Sequence, residues 1–267
     1  MKSSFLKGTL IITAATLVSK LLGSLFRIPL QNIAGDEVLG IFSLVYPLYM
    51  VALILSVAGI PLAISRLISE ARVTGTETDI HHLFVSSGIL AMLFGVLSFS
   101  VLFVLSEPIS LLLGGDAARY AVMIVSFTLL VAPYMAVYRG FFQGFQDMKP
   151  TAISQVLEQF VRVALILVIA VYLVKVGASA QWIAGGIMTS SFAGAFVSFV
   201  YLRRRFVHTP HRPISRRRYQ WKDFKHWAKR ILTLSLPIAF GSLTMALLNL
   251  VDSFTIPIRS GPAWEAP

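Results

Sequence analysis

The sequence predicts an all-α membrane protein of about seven transmembrane helices, and three observations carry that expectation. Of its 267 residues 56% are hydrophobic and only 13% charged, with a mean hydropathy of +0.77, too apolar for a water-soluble domain of this length. Seven apolar runs reach the roughly 20 residues a helix needs to cross a bilayer, without the period-two alternation of barrel strands. Lys and Arg also segregate to alternate loops.

The runs fall at about 6–30, 38–66, 83–105, 120–138, 152–174, 181–202 and 231–257. The first follows Lys2 and Lys7 and opens with an apolar stretch over 8–18, as a signal peptide would. It continues past Lys20 as LLGSLF, so it reads as a spanning helix that orients those after it. Prolines at 47, 61, 133 and 237 lie inside runs, where they free backbone carbonyls and kink helices.

Between the sixth and seventh runs, RRRFVHTPHRPISRRRYQWKDFKHWAKR is too polar to cross and is broken by Pro210 and Pro213. In its second half Trp221, Phe224, Ala228 and Ile231 recur at helical spacing with Arg218, Lys222, Lys225 and Lys229 around them, which predicts a helix in the headgroup region. The expected layout is a six-helix unit over 1–202, a basic linker with an interfacial helix over 203–229, a seventh spanning helix over 230–258 and a tail over 259–267.

The net charge is +11, and eleven of the 23 Lys and Arg lie within residues 203–230. Such a juxtamembrane cluster faces anionic lipid headgroups; no nucleic-acid motif accompanies it, so nucleic acid is not an expected partner. Lys2, Lys7, Arg66, Arg72, Arg139, Lys149 and the linker cations make 17 on one side, against Arg119, Lys175 and Arg259 on the other. The positive-inside rule then predicts a multi-pass protein of the cytoplasmic membrane, N-terminus inside and C-terminus outside.

Charges inside spans are the informative exceptions, since each costs about 2.5–3.5 kcal/mol at a helix centre. The fifth run begins TAISQVLEQFVRV, placing Gln155, Glu158, Gln159 and Arg162 at i, i+3, i+4 and i+7, one stripe of a helix. Counted from Thr151, Glu158 is about 10 Å deep and Arg162 about 16 Å, at about 1.5 Å per residue. Glu158 and Arg162 can pair, either as a fastening between helices or as the lining of a polar cavity. Lys20 and Arg27 are seven residues apart on nearly one face of the first span, with no acidic residue in that span. Either another helix supplies their partner, or the face opens to a wet cavity suited to an anion such as phosphate. In the seventh span Asn249 and Asp252 stand at i and i+3, a snorkelled or helix-paired carboxylate being the simplest reading.

Signals of enzyme chemistry are poor. Cysteine is absent, which excludes disulfides, Cys-ligated zinc and iron–sulfur clusters. His81 and His82 are adjacent rather than at the i, i+4 spacing of zinc ligands, and there is no HExxH, P-loop or GxSxG. No metal, cofactor or catalytic residue is expected, and a membrane-embedded transferase lacks its acidic or histidine cluster.

Four stretches carry a family resemblance: KGTLIITAATLVSKLLGSLFRIPL, VAGIPLAISRLISE, YRGFFQGFQDMKPTAISQVLEQFVRV and SLPIAFGSLTMALLNLVDSFTIP. Together they resemble the stage V sporulation protein B group of the multidrug/oligosaccharidyl-lipid/polysaccharide (MOP) exporter superfamily, which includes lipid II flippases. The resemblance implies two six-helix lobes facing each other across a central cavity. It implies export of an anionic lipid-linked oligosaccharide or cell-wall precursor for polysaccharide biosynthesis or sporulation, without ATP hydrolysis by the chain itself. It maps cavity cations to Lys20 and Arg27, and the linker between lobes to 203–229. Members of the group run on to a second lobe, so this chain reads as six helices of one lobe plus the first helix of a second, truncated after it. FRIP at 26–29 and FTIP at 254–257 repeat at the ends of the first and seventh spans. A lone lobe is expected to be inactive as a monomer unless two copies associate, and the alternative is a non-transporting membrane scaffold or relic.

Overall fold

A computed structural model of the chain describes residues 2–57, 59–112, 118–214 and 217–259, with side chains described for 7–57, 59–111, 118–214, 217–242 and 244. Among the described residues the chain folds into α1 (Lys2–Leu25), α2 (Arg27–Val57), α3 (Ile60–Thr74), α4 (Glu77–Val104), α5 (Ser106–Leu112), α6 (Arg119–Ser126), α7 (Thr128–Gly144), α8 (Lys149–Lys175), α9 (Ala180–Val207) and α10 (Trp221–Arg259). Lys7–Thr74, Glu77–Val104, Arg119–Gly144, Lys149–Lys175 and Ala180–Val207 are long and apolar enough to cross a membrane. The first of these holds α1, α2 and α3 and has length for more than one crossing, at about 1.5 Å per residue. Large apolar side chains such as Leu17, Leu21, Leu97, Phe160 and Val168 are exposed, the outer surface that lipid rather than water would cover.

Several expected spans are interrupted where apolarity alone gives no warning. The run over 38–66 breaks at Gly59, whose φ of 72° is left-handed. A Cβ there would stand 2.4 Å from the Ser235 carbonyl oxygen of α10, so glycine is required both for the turn and for the close approach. Pro61 consequently sits in the first turn of α3, where its missing N–H breaks no hydrogen bond, rather than inside a span. The run over 120–138 divides at Phe127 into α6 and α7, and within α2 Gly35 leaves the helical region with φ of 82°.

Helix α7 packs on α3, α4 and α9, while α8 and α9 form the most extensive helix pair, joined by a turn through Gly177. Helix α1 leans mainly on α8. Two apolar clusters make the core. Leu30, Val45, Tyr49, Val125, Leu129, Ile166 and Ile187 join α2, α6, α7, α8 and α9. Ile64, Leu67, Leu83, Phe141, Leu202, Trp227 and Ile231 join α3, α4, α7, α9 and α10.

The linker stretch is shorter than its polarity suggests, because α9 continues to Val207 and α10 begins at Trp221. Helix α10 then runs without a break past residue 230, so the amphipathic segment and the seventh span are one element. Phe224, Ala228 and Ile231 are buried against the lobe, whereas Trp221 is exposed. Tyr219 meets Ser86 at 2.8 Å and Asp223 lies 3.6 Å from the buried His82.

Candidate functional site

The polar stripe of α8 faces inward. Pro150 in the first turn starts the helix where an N–H is dispensable. From there the 3.6-residue period turns Gln155, Glu158, Gln159 and Arg162 to one cavity. Its other walls are Thr16, Ser19, Lys20 and Gly23 of α1, Tyr46, Met50 and Leu53 of α2, and Arg139 of α7, around a volume of about 380 Å³.

Glu158 is gripped from both sides. Arg162 donates to Oε1 at 2.7 Å and Arg139 to Oε2 at 2.9 Å, so two guanidinium groups share one carboxylate. Arg139 also donates to the Ser154 hydroxyl at 2.9 Å and the Ser198 hydroxyl at 3.3 Å. Ser198 in turn donates to the Ser154 carbonyl at 3.0 Å. That contact needs α9 close to α8, which Gly194 permits: a Cβ there would lie 2.6 Å from the Glu158 carbonyl oxygen.

The lining therefore carries three cations, Lys20, Arg139 and Arg162, against one carboxylate, Glu158. Lys20 has no ion-pair partner among the described residues and is exposed at the wall formed by α1. Arg162 is only 7% exposed, and its Nε, the Gln155 Oε1 and the Ser19 Oγ are buried without a hydrogen-bond partner among the described residues. Buried polar atoms in that condition are ready to engage a ligand or water. A net positive, low-dielectric cavity with amide and hydroxyl groups at its edge is chemically suited to an anionic head bearing many hydroxyls.

Of the residues singled out from the sequence, Lys20 and the four on α8 meet in this cavity. Arg27 does not line it: α1 ends at Leu25 and Arg27 opens α2, exposed, so the seven-residue register from Lys20 is not one continuous helix face. Asn249 and Asp252 lie on the helical backbone of α10 but outside the described side chains. Sequence reasoning missed Arg139, Tyr46, Ser154 and Ser198. Arg139 was placed in a loop because its charge was used to end the fourth span, yet apolar sequence continues past it as GFFQGF and the helix runs to Gly144.

A family model described as polysaccharide biosynthesis protein matches residues 5–263. The chain is 33% identical over 241 residues to stage V sporulation protein B of Bacillus subtilis, covering 88% of this chain and 46% of that protein. It is 31% identical over 276 residues to the lipid II flippase MurJ of Bacillus subtilis, covering 96% of this chain and 49% of that protein. It thus spans about half the length of the curated relatives it matches. The crystal structure of MATE in the straight conformation matches with a TM-score of 0.72 at 17% identity, over 92% of this chain and 54% of that one, which shows a shared fold. With the family model reaching across almost all of its helices, this multi-pass membrane chain belongs to the polysaccharide biosynthesis protein family.

Proposed function

We propose that this chain forms one lobe of a flippase-type exporter that moves an anionic lipid-linked oligosaccharide or cell-wall precursor across the cytoplasmic membrane. The observation that carries this reading is the cation-rich cavity enclosed by α1, α2, α7 and α8. Lys20, Arg139 and Arg162 offer charge to a phosphate-bearing head, while Gln155, Gln159, Thr16 and Ser19 offer hydrogen bonds to sugar hydroxyls. The relative named as a lipid II flippase supports the same class of cargo. The step is movement rather than bond chemistry, so it needs neither a catalytic residue nor a cofactor.

The loop charges support an inside N-terminus and linker and an outside C-terminus. The proposed units are the lobe over 1–202, the basic linker over 203–229 against anionic headgroups, the seventh span over 230–258 and the tail over 259–267. Alternating access needs a facing wall, which a second lobe or a second copy in the same orientation would supply. The test is a flipping assay with a fluorescent lipid-linked diphosphate sugar in vesicles, with cross-linking to report the oligomeric state. Flipping by the associated or completed protein is expected, and flipping by a monomer of this chain would remove the need for a facing wall.

A second reading is favoured by one observation: Glu158 is fully engaged by Arg139 and Arg162, which suits a fastening as well as a site. A well-folded preparation that neither binds nor moves the labelled lipid would favour this scaffold reading.

A further inference from the structure

On the linker side of the lobe a second polar cavity of about 340 Å³ opens between α3 and α10, lined by Arg66, Glu70, Lys229, Arg230, Thr233 and Leu234. It shares no residue with the cavity around Glu158. Arg230 donates to Glu70 at 2.7 Å and lies over the Trp227 ring at 5.3 Å, so its guanidinium is held in place. Arg66 and Lys229 are exposed and have no ion-pair partner among the described residues. Three cations thus surround one carboxylate that is already paired.

The surroundings are amphiphilic in register. On α10 Lys229, Thr233, Leu236 and Phe240 are spaced at i, i+4, i+7 and i+11, one helix face that passes from charge to exposed hydrocarbon. Leu236 and Phe240 are 50% and 66% exposed. On α3 Leu62, 56% exposed, precedes Arg66 and Glu70 by one and two turns on the same face. The two helices run in opposite directions here, since Gly59 at the start of α3 abuts Ser235 in α10 whereas Glu70 near its end meets Arg230. Both apolar stretches therefore lie on the same side of the charged cleft. Lys229 and Arg230 are also the last charges before the apolar run of α10, which is the depth of headgroup phosphates when that run crosses a bilayer.

We propose that this cleft binds the phosphate of an anionic glycerophospholipid from the leaflet on the linker side. Arg66 and Lys229 hold the phosphate, Thr233 donates its hydroxyl, and the acyl chains follow Leu62 and the Leu236–Phe240 face. The lipid would tie α10 to α3 beside the Gly59 contact. The proposal is independent of what the lobe transports.

The test is native mass spectrometry of the full chain in detergent, titrated with phosphatidylglycerol, with phosphatidylcholine, and with soluble glycerol phosphate as competitor. Wild type is expected to retain phosphatidylglycerol preferentially, and Arg66→Gln and Lys229→Gln each to lower its affinity about fivefold, the weight of one cation near a lipid headgroup. Glu70→Gln, which removes the opposing charge but keeps an acceptor for Arg230, is expected to raise retention. Thermal unfolding of each variant reports whether it folds, and Arg66→Lys, keeping the charge, should retain the lipid. Equal retention of phosphatidylcholine, or unchanged retention in both Arg66→Gln and Lys229→Gln, would overturn the proposal. Complete displacement by soluble glycerol phosphate would also overturn it, by assigning the cleft to a free phosphate.

Discussion

Arg139 and Glu158 are 19 residues apart in the chain and 2.9 Å apart in space, on different helices, and Arg162 occupies the other oxygen of the same carboxylate. The three charges are therefore unequal partners. Glu158→Gln strands the buried Arg162 and the half-buried Arg139, while Arg162→Gln leaves Glu158 still held by Arg139. Thermal unfolding in detergent should show Glu158→Gln costing about 3–5 kcal/mol, the range for breaking a buried pair, and Arg162→Gln distinctly less. The double change should cost less than the sum of the singles; strict additivity would contradict the coupling.

The break between α2 and α3 makes a sharper stability prediction. Gly59→Ala must place a Cβ in left-handed backbone against the Ser235 carbonyl, so a loss of about 1–3 kcal/mol is expected from the backbone strain alone. Gly40→Ala is the control: it lies inside α2 with nothing within 4 Å of its would-be Cβ. Alanine there should be neutral or slightly stabilising, since glycine is a poor helix former. Equal unfolding temperatures for the two variants would contradict the packing at Gly59.

Cavity charge can be separated from general positive charge by comparing two cations of the first spans. Lys20→Gln is expected to weaken binding of a fluorescent lipid-linked diphosphate sugar about tenfold or more, the value of one charge-assisted contact. Arg27→Gln, outside the cavity lining, should leave it unchanged. The readout is fluorescence anisotropy in detergent, and equal losses in both variants would point to a diffuse electrostatic effect.

The linker dock yields a pH prediction. Burial pushes the Tyr219 phenol above its ordinary value of 10.0, against the Ser86 hydrogen bond that lowers it. A group with a raised folded value contributes stability fully below its unfolded value and loses it as pH rises through the folded one. The docked, partly buried Tyr219 phenol should therefore protect residues 217–223 from hydrogen exchange evenly up to about pH 10, with protection fading above as ionisation works against its burial. Tyr219→Phe should speed exchange below about pH 10, by about 1 kcal/mol in protection, and the difference from wild type should vanish as the phenol ionises.

How much of this was legible in sequence depended on the kind of signal. The stripe on α8 was readable because four polar residues at helical spacing inside an apolar run leave few other arrangements, and the Glu158–Arg162 contact follows from i, i+4. Arg139 was not, since a single charge near the end of a span looks the same whether it terminates the helix or belongs to its buried face. Its partners Ser154 and Ser198 are small hydroxyls whose pairing depends on the α8–α9 approach at Gly194, a tertiary fact. The break at Gly59 was hidden for a related reason: VAGIPLAI is apolar throughout, and hydropathy does not sense a sign change in φ. Lys20 and Arg27 shared a face only as long as one unbroken helix was assumed.

The continuity of α10 has a mechanical consequence. Its linker half is bolted to the lobe through Phe224, Trp227 and Ile231, and Ser235 rests against Gly59. Two residues farther on, Pro237 removes the hydrogen bond that would close on the Thr233 carbonyl. Fulcrum and weakened joint thus lie within one turn of each other. From Pro237 to Arg259 the helix extends about 33 Å at about 1.5 Å per residue, so a tilt of about 10° at the joint would swing its far end by about 6 Å. The element that begins as an anchor ends as a crank arm.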